Sequence, residues 1–257
     1  MAIQRVRSKW AKTVVLLQSE QLRGYIPVTK KFSESSLQTA LNQFGMIYVK
    51  PVNGTFGKHV IRVEQHNPDT GRSFTFQEGT RLVACRSFEE LYRELRRRIQ
   101  GRPFLVQQGI ELLRHAGRRF DLRVMVQKNG SQWETTGIIG RLAHPRRIVT
   151  NYHSGGTPMD HHILMSGHLS EAEQLDFDSK LRKLGVLVAE QLQAAYPGLK
   201  EIGIDIAVDT GRKPWILEVN TLPDPFIFRK LKDKAVFSKI YRYAAAYGRF
   251  RKRKAAR

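Results

Sequence analysis

The sequence predicts an α+β protein, and three observations support this fold class. Segments whose apolar residues recur at helical spacing are separated by segments with the composition of β-strands. Several predicted strands follow one another through short turn signals, as the strands of antiparallel hairpins do. Apolar residues make up 41% of the 257 residues, which is enough for one substantial domain or two small lobes. The sequence contains no internal repeat and no long linker.

Five segments are predicted to be helical from their apolar periodicity and their capping residues. Ser33 is placed to cap one helix, and the Ser-Phe-Glu-Glu run that begins at Ser87 has the capping-box spacing that opens another. The longest segment carries Leu181, Leu184 and Val188 on one stripe. The predicted helices span residues 9–24, 33–44, 87–99, 170–195 and 229–247.

Strands are predicted where β-branched and aromatic residues cluster between turn signals. Asn-Pro-Asp-Thr-Gly at 67–71 and Asp-Thr-Gly-Arg at 209–212 are the clearest turns. The predicted strands span residues 46–49, 60–65, 73–77, 104–108, 120–127, 133–141, 202–208 and 214–219.

The hairpin at residues 202–219 carries three oxygen-donor side chains. Asp205 interrupts an apolar strand, and Glu218 and Asn220 are two residues apart, so they point to one face of the returning strand. Two carboxylates and an amide oxygen form an all-oxygen ligand set, which suits Mg²⁺ or Mn²⁺ better than Zn²⁺. The alternative is a hairpin whose acidic residues merely face water.

A second segment, MIYVKPVNGTFGKHVIRV at 46–63, has the features of a phosphate-binding hairpin. Lys50 ends a strand and is followed by a loop with Gly54 and Gly57. Glycines let backbone N–H groups approach a phosphate, and a lysine adds a positive charge. The spacing is not that of a Walker A loop. An ordinary turn between two strands is the alternative interpretation.

The chain is strongly basic. Lys and Arg number 44 against 23 Asp and Glu, a formal net charge of +21. Such a field attracts anions, so we expect either a merely solvated basic surface or docking to an anionic polymer or surface. Residues 249–257 have few apolar side chains and are expected to be an unpacked basic tail. No signature of sequence-specific nucleic-acid recognition is present.

Other features of the sequence are less informative. Cys85 is the single cysteine, which excludes an intrachain disulfide. No apolar run approaches the roughly 18 residues that a membrane span needs, and no signal peptide is evident, so we expect a soluble, cytoplasmic protein. A group of histidines near a glycine-rich stretch suggests a transition-metal site, but its spacing matches no standard zinc pattern. These histidines are His153, His161, His162 and His168.

Six motifs together resemble the ATP-grasp superfamily, and specifically its endospore coat-associated YheC/YheD-like branch. They are SKW, VKPVNGTFGKHV, FLVQQGI, FDLRVMVQ, TNYHSGG and GIDIAVDTGRKPWILEVNTLPD, and the resemblance runs from about Lys9 to about Phe228. The resemblance implies two α+β lobes with the nucleotide between them. We expect an ATP-grasp domain at 1–247, with lobe one at 25–106, lobe two at 107–228 and a C-terminal helix at 229–247, followed by a basic, disordered tail at 248–257.

The resemblance also implies roles for individual residues, because each motif matches a functional motif of the superfamily. Lys50 and Arg123 match catalytic cations that stabilise the transferred phosphoryl group. Gln107 stands where a glutamate is frequent, which leaves the role of its side chain open. The implied nucleotide-binding residues are Lys9, Lys50, Asn53, Gly54, Gly57, Lys58, Gln107, Gln108, Ile110, Arg123 and Asn151, with the backbone of Gln107 and Ile110 at the adenine edge, and the implied metal ligands are Asp205, Glu218 and Asn220.

The implied activity is the ATP- and Mg²⁺-dependent ligation of a carboxylate to an amine or a thiol. A carboxylate is a poor electrophile at neutral pH, so it is first converted to an acyl-phosphate, with two Mg²⁺ (or Mn²⁺) ions and cationic side chains offsetting the phosphate charge. A link to sporulation or the spore coat follows from the branch name. The alternative is a non-catalytic, ATP-binding coat protein that docks on an anionic surface.

Overall fold

A computed structural model describes residues 3–55, 57–66 and 73–250 of the chain. Helices and strands alternate along it, with two 3₁₀ turns at Tyr152–Ser154 and Phe226–Lys230. The elements are α1 (Lys9–Leu17), α2 (Glu20–Arg23), β1 (Thr29–Lys31), α3 (Glu34–Phe44), β2 (Met46–Pro51), β3 (Ile61–His66), β4 (Ser73–Glu78), β5 (Arg81–Cys85), α4 (Phe88–Ile99), β6 (Phe104–Gln108), β7 (Arg114–His115), β8 (Arg118–Asn129), β9 (Gln132–Leu142), β10 (Thr157–Met159), α5 (His161–Met165), α6 (Glu171–Ala195), β11 (Glu201–Val208), β12 (Pro214–Asn220) and α7 (Lys234–Ala246).

The first sheet has six antiparallel strands in the order β1-β6-β2-β3-β4-β5. Helices α3 and α4 contact it, and their apolar stripes pack on Ile47, Val49 and Phe76. Side chains alternate between the two faces of a strand, so the residue that follows Ile47 and the residue that follows Val49 point to the opposite face. Tyr48 and Lys50 therefore lie on the face of this sheet that α3 and α4 leave uncovered.

The second sheet has the order β10-β9-β8-β11-β12, and it is also antiparallel. Helix α6 packs on one face, where Leu181, Leu184 and Val188 form a core with alternate residues of β8 and β11. Helix α7 and the second 3₁₀ turn cover part of the other face around Met125 and Phe228. The uncovered part of that face carries the polar residues of β8, β11 and β12.

The predicted α+β class is confirmed, and the ends of the elements differ for local reasons. The predicted helix 9–24 is broken at Gln18 and Ser19, where α1 ends and α2 begins. Strands β1 and β5, which the sequence did not predict, lie at the two edges of the first sheet. The predicted helix 229–247 begins at Lys234, because Asp233 accepts a hydrogen bond from the Ala235 N–H and caps it there.

The expectation of an unpacked tail is wrong for Arg249 and Phe250. Arg249 donates hydrogen bonds to the carboxylate of Glu201 and, at 2.7 Å, to the Pro223 carbonyl. The Phe250 ring stacks on Tyr241 with a centroid distance of 4.8 Å. Glu201 is fully buried, and a buried carboxylate requires cationic partners, which Arg5 and Arg249 supply. The remainder of the predicted tail, 251–257, lies outside the described residues.

Among the described residues, no helix combines the length and the hydropathy that crossing a bilayer requires.

Candidate functional site

Strands β11 and β12 bring the three predicted metal ligands to one face of the second sheet. Asp205 is directly opposite Glu218, and Gly203 is opposite Asn220, so all three side chains share that face. A β-bulge interrupts the pairing, because Asp205 pairs with Glu218 while Ile206 pairs with Ile216. Leu217 is the extra residue of this bulge, which frees its backbone from the ladder.

Asp205 is buried between two arginines. The Arg123 Nε donates to Asp205 Oδ1 at 2.6 Å, and Arg141 Nη2 lies 3.2 Å from Asp205 Oδ2. Burial by itself raises the pKa of Asp205, but the two guanidinium groups outweigh it and leave the pKa below its usual value. Asp205 is therefore ionised at neutral pH.

Arg141 belongs to a second buried pair that sequence reasoning missed. It forms a fork to Asp121, with Nε 2.8 Å from Oδ1 and Nη2 2.5 Å from Oδ2. The Thr150 hydroxyl donates to the same Asp121 carboxylate at 2.6 Å. Burial opposes the charge on Arg141, but Asp121 and Asp205 raise its pKa above the ordinary value. Like Asp205, both residues interrupt apolar strands, and that signal was available in the sequence.

Lys9 connects the hairpin of β11 and β12 to the glycine-rich loop. Its Nζ lies 3.3 Å from Glu218 Oε1 and donates to the Gly54 carbonyl at 2.8 Å. The Lys9 side chain is buried, whereas 23% of the Glu218 side chain remains exposed. Lys9, which is predicted to contact phosphate, and Glu218, which is predicted to bind the metal, are therefore neighbours.

Lys50 is held by residues of both sheets. Its Nζ donates to Gln107 Oε1 at 2.7 Å and to the carbonyl of the bulged residue Leu217 at 2.9 Å. The Gln107 Nε2 donates to Thr29 Oγ1 at 3.0 Å, which orients the amide oxygen towards Lys50. Burial lowers the pKa of Lys50 to about 8, although Glu218 partly offsets this effect. The neutral amide of Gln107 thus positions Lys50 without neutralising it.

Lys12 is a third buried lysine of this site, which the sequence analysis did not identify. It lines one small pocket together with Lys9, Lys50 and Glu218. Its Nζ donates to the Val6 carbonyl at 2.8 Å, and burial lowers its pKa to about 8. Lys9 and Lys12 are three residues apart on a helix, so they face the same side. That spacing is the sequence signal that could have identified Lys12.

The glycine-rich loop lies against the loop at residues 151–156, which begins with the predicted residue Asn151. Gly57 has φ +68°, and a Cβ there would lie 2.8 Å from Asn151 Oδ1. A Cβ on Gly156 would lie 2.0 Å from the Thr150 carbonyl oxygen, so the turn after Asn151 also requires glycine. Asn53 and Lys58 are exposed on the same loop, and Phe56 lies outside the described residues. The predicted residues Gly57 and Asn151 are thus brought into direct proximity.

The residues predicted to lie at the adenine edge are found at the end of β6 and just after it. Gln107 is in register with Thr29 on one side and Tyr48 on the other, so the sheet uses its backbone N–H and C=O groups. This position disfavours the predicted role of the Gln107 backbone at an adenine edge. Gln108 donates its N–H to the Val28 carbonyl at 2.8 Å, while the Val28 N–H donates to the Gln108 side-chain oxygen at 3.2 Å. Ile110 then packs against Leu217 and Trp215 of the second sheet.

The residues of this site fit a hard divalent cation and a polyphosphate. Asp205, Glu218 and Asn220 offer oxygen donors, and a carboxylate has more lone pairs than Arg123 and Arg141 occupy. Binding a cation at Glu218 would require Lys9 to give up its contact with that carboxylate. Lys9 would then be available to an anionic group bound beside the metal.

Comparison with known proteins relates the chain to one family. Residues 2–250 match the family described as YheC/D like ATP-grasp. The endospore coat-associated protein YheD of Bacillus subtilis (strain 168) is 24% identical over 227 residues, which are 86% of this chain and 49% of that protein. The endospore coat-associated protein YheC of the same strain is 21% identical over 217 residues, 84% of this chain and 59% of that protein. The chain thus spans about half the length of these curated relatives.

Two solved structures share the fold. D-cycloserine synthetase DcsG superposes with a TM-score of 0.56 and 14% identity, over 94% of this chain and 70% of that one. The D-alanine–D-alanine ligase from Coxiella burnetii superposes with a TM-score of 0.51 and 14% identity, over 93% of this chain and 57% of that one. These similarities confirm the predicted ATP-grasp fold. Because the family match covers nearly the whole sequence, the chain belongs to the YheC/D-like ATP-grasp family.

Proposed function

We propose that this protein binds ATP with Mg²⁺ between its two sheets and ligates a carboxylate to an amine or a thiol. The observation that carries the proposal is the position of Lys50. It extends from the first sheet to the Leu217 carbonyl, beside Glu218 in the second sheet. A buried cation next to acidic oxygen donors suits a complex of a polyphosphate with a divalent metal.

In this proposal the chain's own residues position the nucleotide. Lys9, Lys12 and Lys50 offset the negative charge of the phosphates, and the loop with Gly54 and Gly57 covers them. Ile110 lies beyond the last paired residue of β6, so its backbone groups are better placed than those of Gln107 to bind the adenine edge. Bound at Asp205, Glu218 and Asn220, Mg²⁺ would supply further positive charge to the phosphates.

Arg123 is the proposed cation for the acyl-phosphate. Its Nε is used by Asp205, which fixes the direction of the guanidinium group and leaves other N–H donors available. Asn151 lies beside Gly57, so we place the carboxylate substrate on the side of the 151–156 loop. The acceptor then attacks the acyl-phosphate carbonyl and phosphate leaves, so no protein nucleophile is required.

The decisive experiment measures ADP release with Mg²⁺ across a panel of carboxylic acids and amines, in the wild type and in Lys50→Met. We expect acid-dependent ADP release in the wild type and none in the variant. Amine addition should then release free phosphate and form the ligated product. ATP-independent product, or equal rates in both proteins, would contradict the proposal.

The net charge of +21 favours a second candidate, a non-catalytic coat protein that binds ATP and docks on an anionic surface. The names of the relatives YheD and YheC motivate the proposed spore-coat association. A protein that binds ATP tightly, releases no ADP with any acid and binds polyanions in low salt would support this second role.

A further inference from the structure

Two histidines and two aspartates form a cluster where α5 meets α6, apart from the residues assigned to the nucleotide. Asp160 caps α5, and His161 and His162 are the first two residues of that helix. Their rings lie 4.1 Å apart between centroids. Asp178 of α6 contacts both rings. The proposed ligation reaction makes no use of this cluster.

His161 presents an unpaired nitrogen inside the protein. Its Nε2 lies 2.7 Å from Asp178 Oδ1 and therefore carries the proton, because the carboxylate can only accept. Its Nδ1 then carries a lone pair, and it is buried without a hydrogen-bond partner in the described part of the chain. Only 6% of His161 is exposed, and Asp160 Oδ1 is 3.6 Å from this Nδ1. A histidine with one N–H on a carboxylate and its other nitrogen open is typical of a metal ligand.

His162 is oriented in a similar way. The Gln174 Nε2 donates to the Leu169 carbonyl at 3.2 Å, so the Gln174 oxygen faces His162. His162 Nδ1 lies 3.0 Å from this oxygen and must donate to it. Its Nε2 then carries a lone pair 3.5 Å from Asp178 Oδ2, and two electron-rich atoms at that distance favour a cation nearby.

We propose that Asp160, His161 and His162 bind a divalent transition-metal ion such as Zn²⁺, with Asp178 positioning the His161 imidazole. One ligand atom from each of the three residues lies within 4.8 Å of the others. Zinc bonds of about 2.0–2.2 Å place tetrahedral ligand atoms about 3.4 Å apart, so the ligand atoms would approach one another by at most about 1.4 Å on binding. Imidazole ligands suit Zn²⁺ and other transition-metal ions, whereas the all-oxygen set at Asp205 and Glu218 suits Mg²⁺.

The ion would stabilise the segment that follows the 151–156 loop. Helix α5 comes directly after β10, and its Leu164 packs so closely on β9 that a Cβ on Gly140 would lie 2.2 Å from Leu164 Cδ1. A metal on Asp160, His161 and His162 would fix the start of α5 through the contacts of both rings with α6. We therefore expect Zn²⁺ to protect residues 157–165 from hydrogen exchange.

The test is a calorimetric titration of the chelator-treated 257-residue chain with Zn²⁺, in buffer without ATP or Mg²⁺. We expect one saturable equivalent and a higher melting temperature. Asp160→Asn keeps an acceptor for the His162 N–H but removes the charge, so it should weaken binding at least tenfold, as should His162→Gln. Asp178→Asn should weaken binding about 10- to 100-fold by loosening the His161 ring.

Two variants outside the cluster serve as matched controls. Asp176→Asn removes an exposed carboxylate of the same helix as Asp178, and His66→Ala removes an exposed histidine of β3. Both should bind Zn²⁺ like the wild type. Absence of a 1:1 saturable phase would overturn the proposal. The proposal would also be overturned if Asp160→Asn and His162→Gln bound Zn²⁺ with wild-type affinity. The same holds if the two controls lost as much affinity as the cluster variants, because the ion would then be held by scattered surface groups.

Discussion

The Lys50 ammonium donates a hydrogen bond, at 2.9 Å, to the carbonyl of Leu217, the bulged residue of β12. This contact joins the two sheets next to Glu218. Lys50 ends a strand of the first sheet, and the bulge turns a backbone carbonyl of the second sheet out of its ladder. The cation is thereby fixed where a phosphate and its metal would meet.

Replacing Lys50 by Met should abolish most of the rise in melting temperature that ATP with Mg²⁺ produces. Met is similar in length but removes the charge that the phosphates would contact. Lys30→Met, at an exposed position of β1, is the control and should keep the full shift. Thermal melts with and without the nucleotide measure both. A full shift in Lys50→Met would remove Lys50 from the phosphate site.

ATP affinity should fall as the pH rises through about 8, because burial lowers the pKa of Lys50 to about 8 and its neutral form attracts phosphate poorly. ATP binding should therefore take up protons at about pH 9, which calorimetry in two buffers of different ionisation enthalpy detects. Lys12 has the same lowered pKa and contributes too, so Lys50→Met should reduce the uptake rather than abolish it. Equal proton uptake on ATP binding in the wild type and in Lys50→Met would contradict this prediction.

The same two lysines should make the free protein more stable at alkaline pH. The ordinary lysine pKa is 10.5, whereas Lys12 and Lys50 have values of about 8 in the folded state. Between these values the unfolded chain binds more protons, so the free energy of unfolding should rise with pH over this window. Urea denaturation at several pH values measures it, and Lys50→Met should show a shallower rise.

Glu218→Gln and Asp205→Asn should have different consequences, although both remove a predicted metal ligand. Glu218 is partly exposed and contacts Lys9, so its variant should keep the fold and lose the Mg²⁺-dependent ATP effects. Asp205→Asn leaves Arg123 and Arg141 short of a buried counter-charge, and we expect it to lower the free energy of unfolding by about 3–5 kcal/mol. Glu190→Gln, at an exposed position, is the control. Equal losses of stability in the first two variants would contradict the assignment.

Gly57→Ala should weaken ATP binding more than Gly79→Ala does. Both glycines have positive φ, +68° and +61°, so both variants carry a similar backbone cost. Only at Gly57 would the new Cβ meet Asn151 Oδ1, at 2.8 Å, whereas nothing lies within 4 Å at Gly79. The difference in the ATP-induced melting shift isolates the contact between the two loops. Identical shifts would show that Gly57 and Asn151 do not need to approach each other.

Deleting residues 251–257 and replacing Arg249 by Gln should separate docking from folding. The deletion removes five cations, so it should weaken salt-sensitive binding to a polyanion such as heparin while leaving ATP binding intact. Arg249→Gln should instead lower the melting temperature, because Glu201 is fully buried and loses a counter-charge. Absence of polyanion binding by the full chain at low salt would limit the basic excess to a role in solubility.

The sequence by itself determined most of the longer elements and the acidic face of the hairpin. The two-residue period of a strand is enough to place Glu218 and Asn220 on one side, and capping residues such as Ser33 and Ser87 are local signals. Lys50 and the glycine-rich loop could also be identified, because their spacing lies within one hairpin. Local periodicity carries all of this information.

Only the tertiary structure decided which charges meet. The bulge at Leu217, the Arg141 fork between Asp121 and Asp205, and the pairing of Arg249 with Glu201 join residues far apart in sequence. A buried charge must find an opposite charge or a hydrogen bond, but the sequence does not state which element supplies it. For the same reason the sequence did not show that Asp178 and Gln174 of α6 hold the rings of His161 and His162 in place.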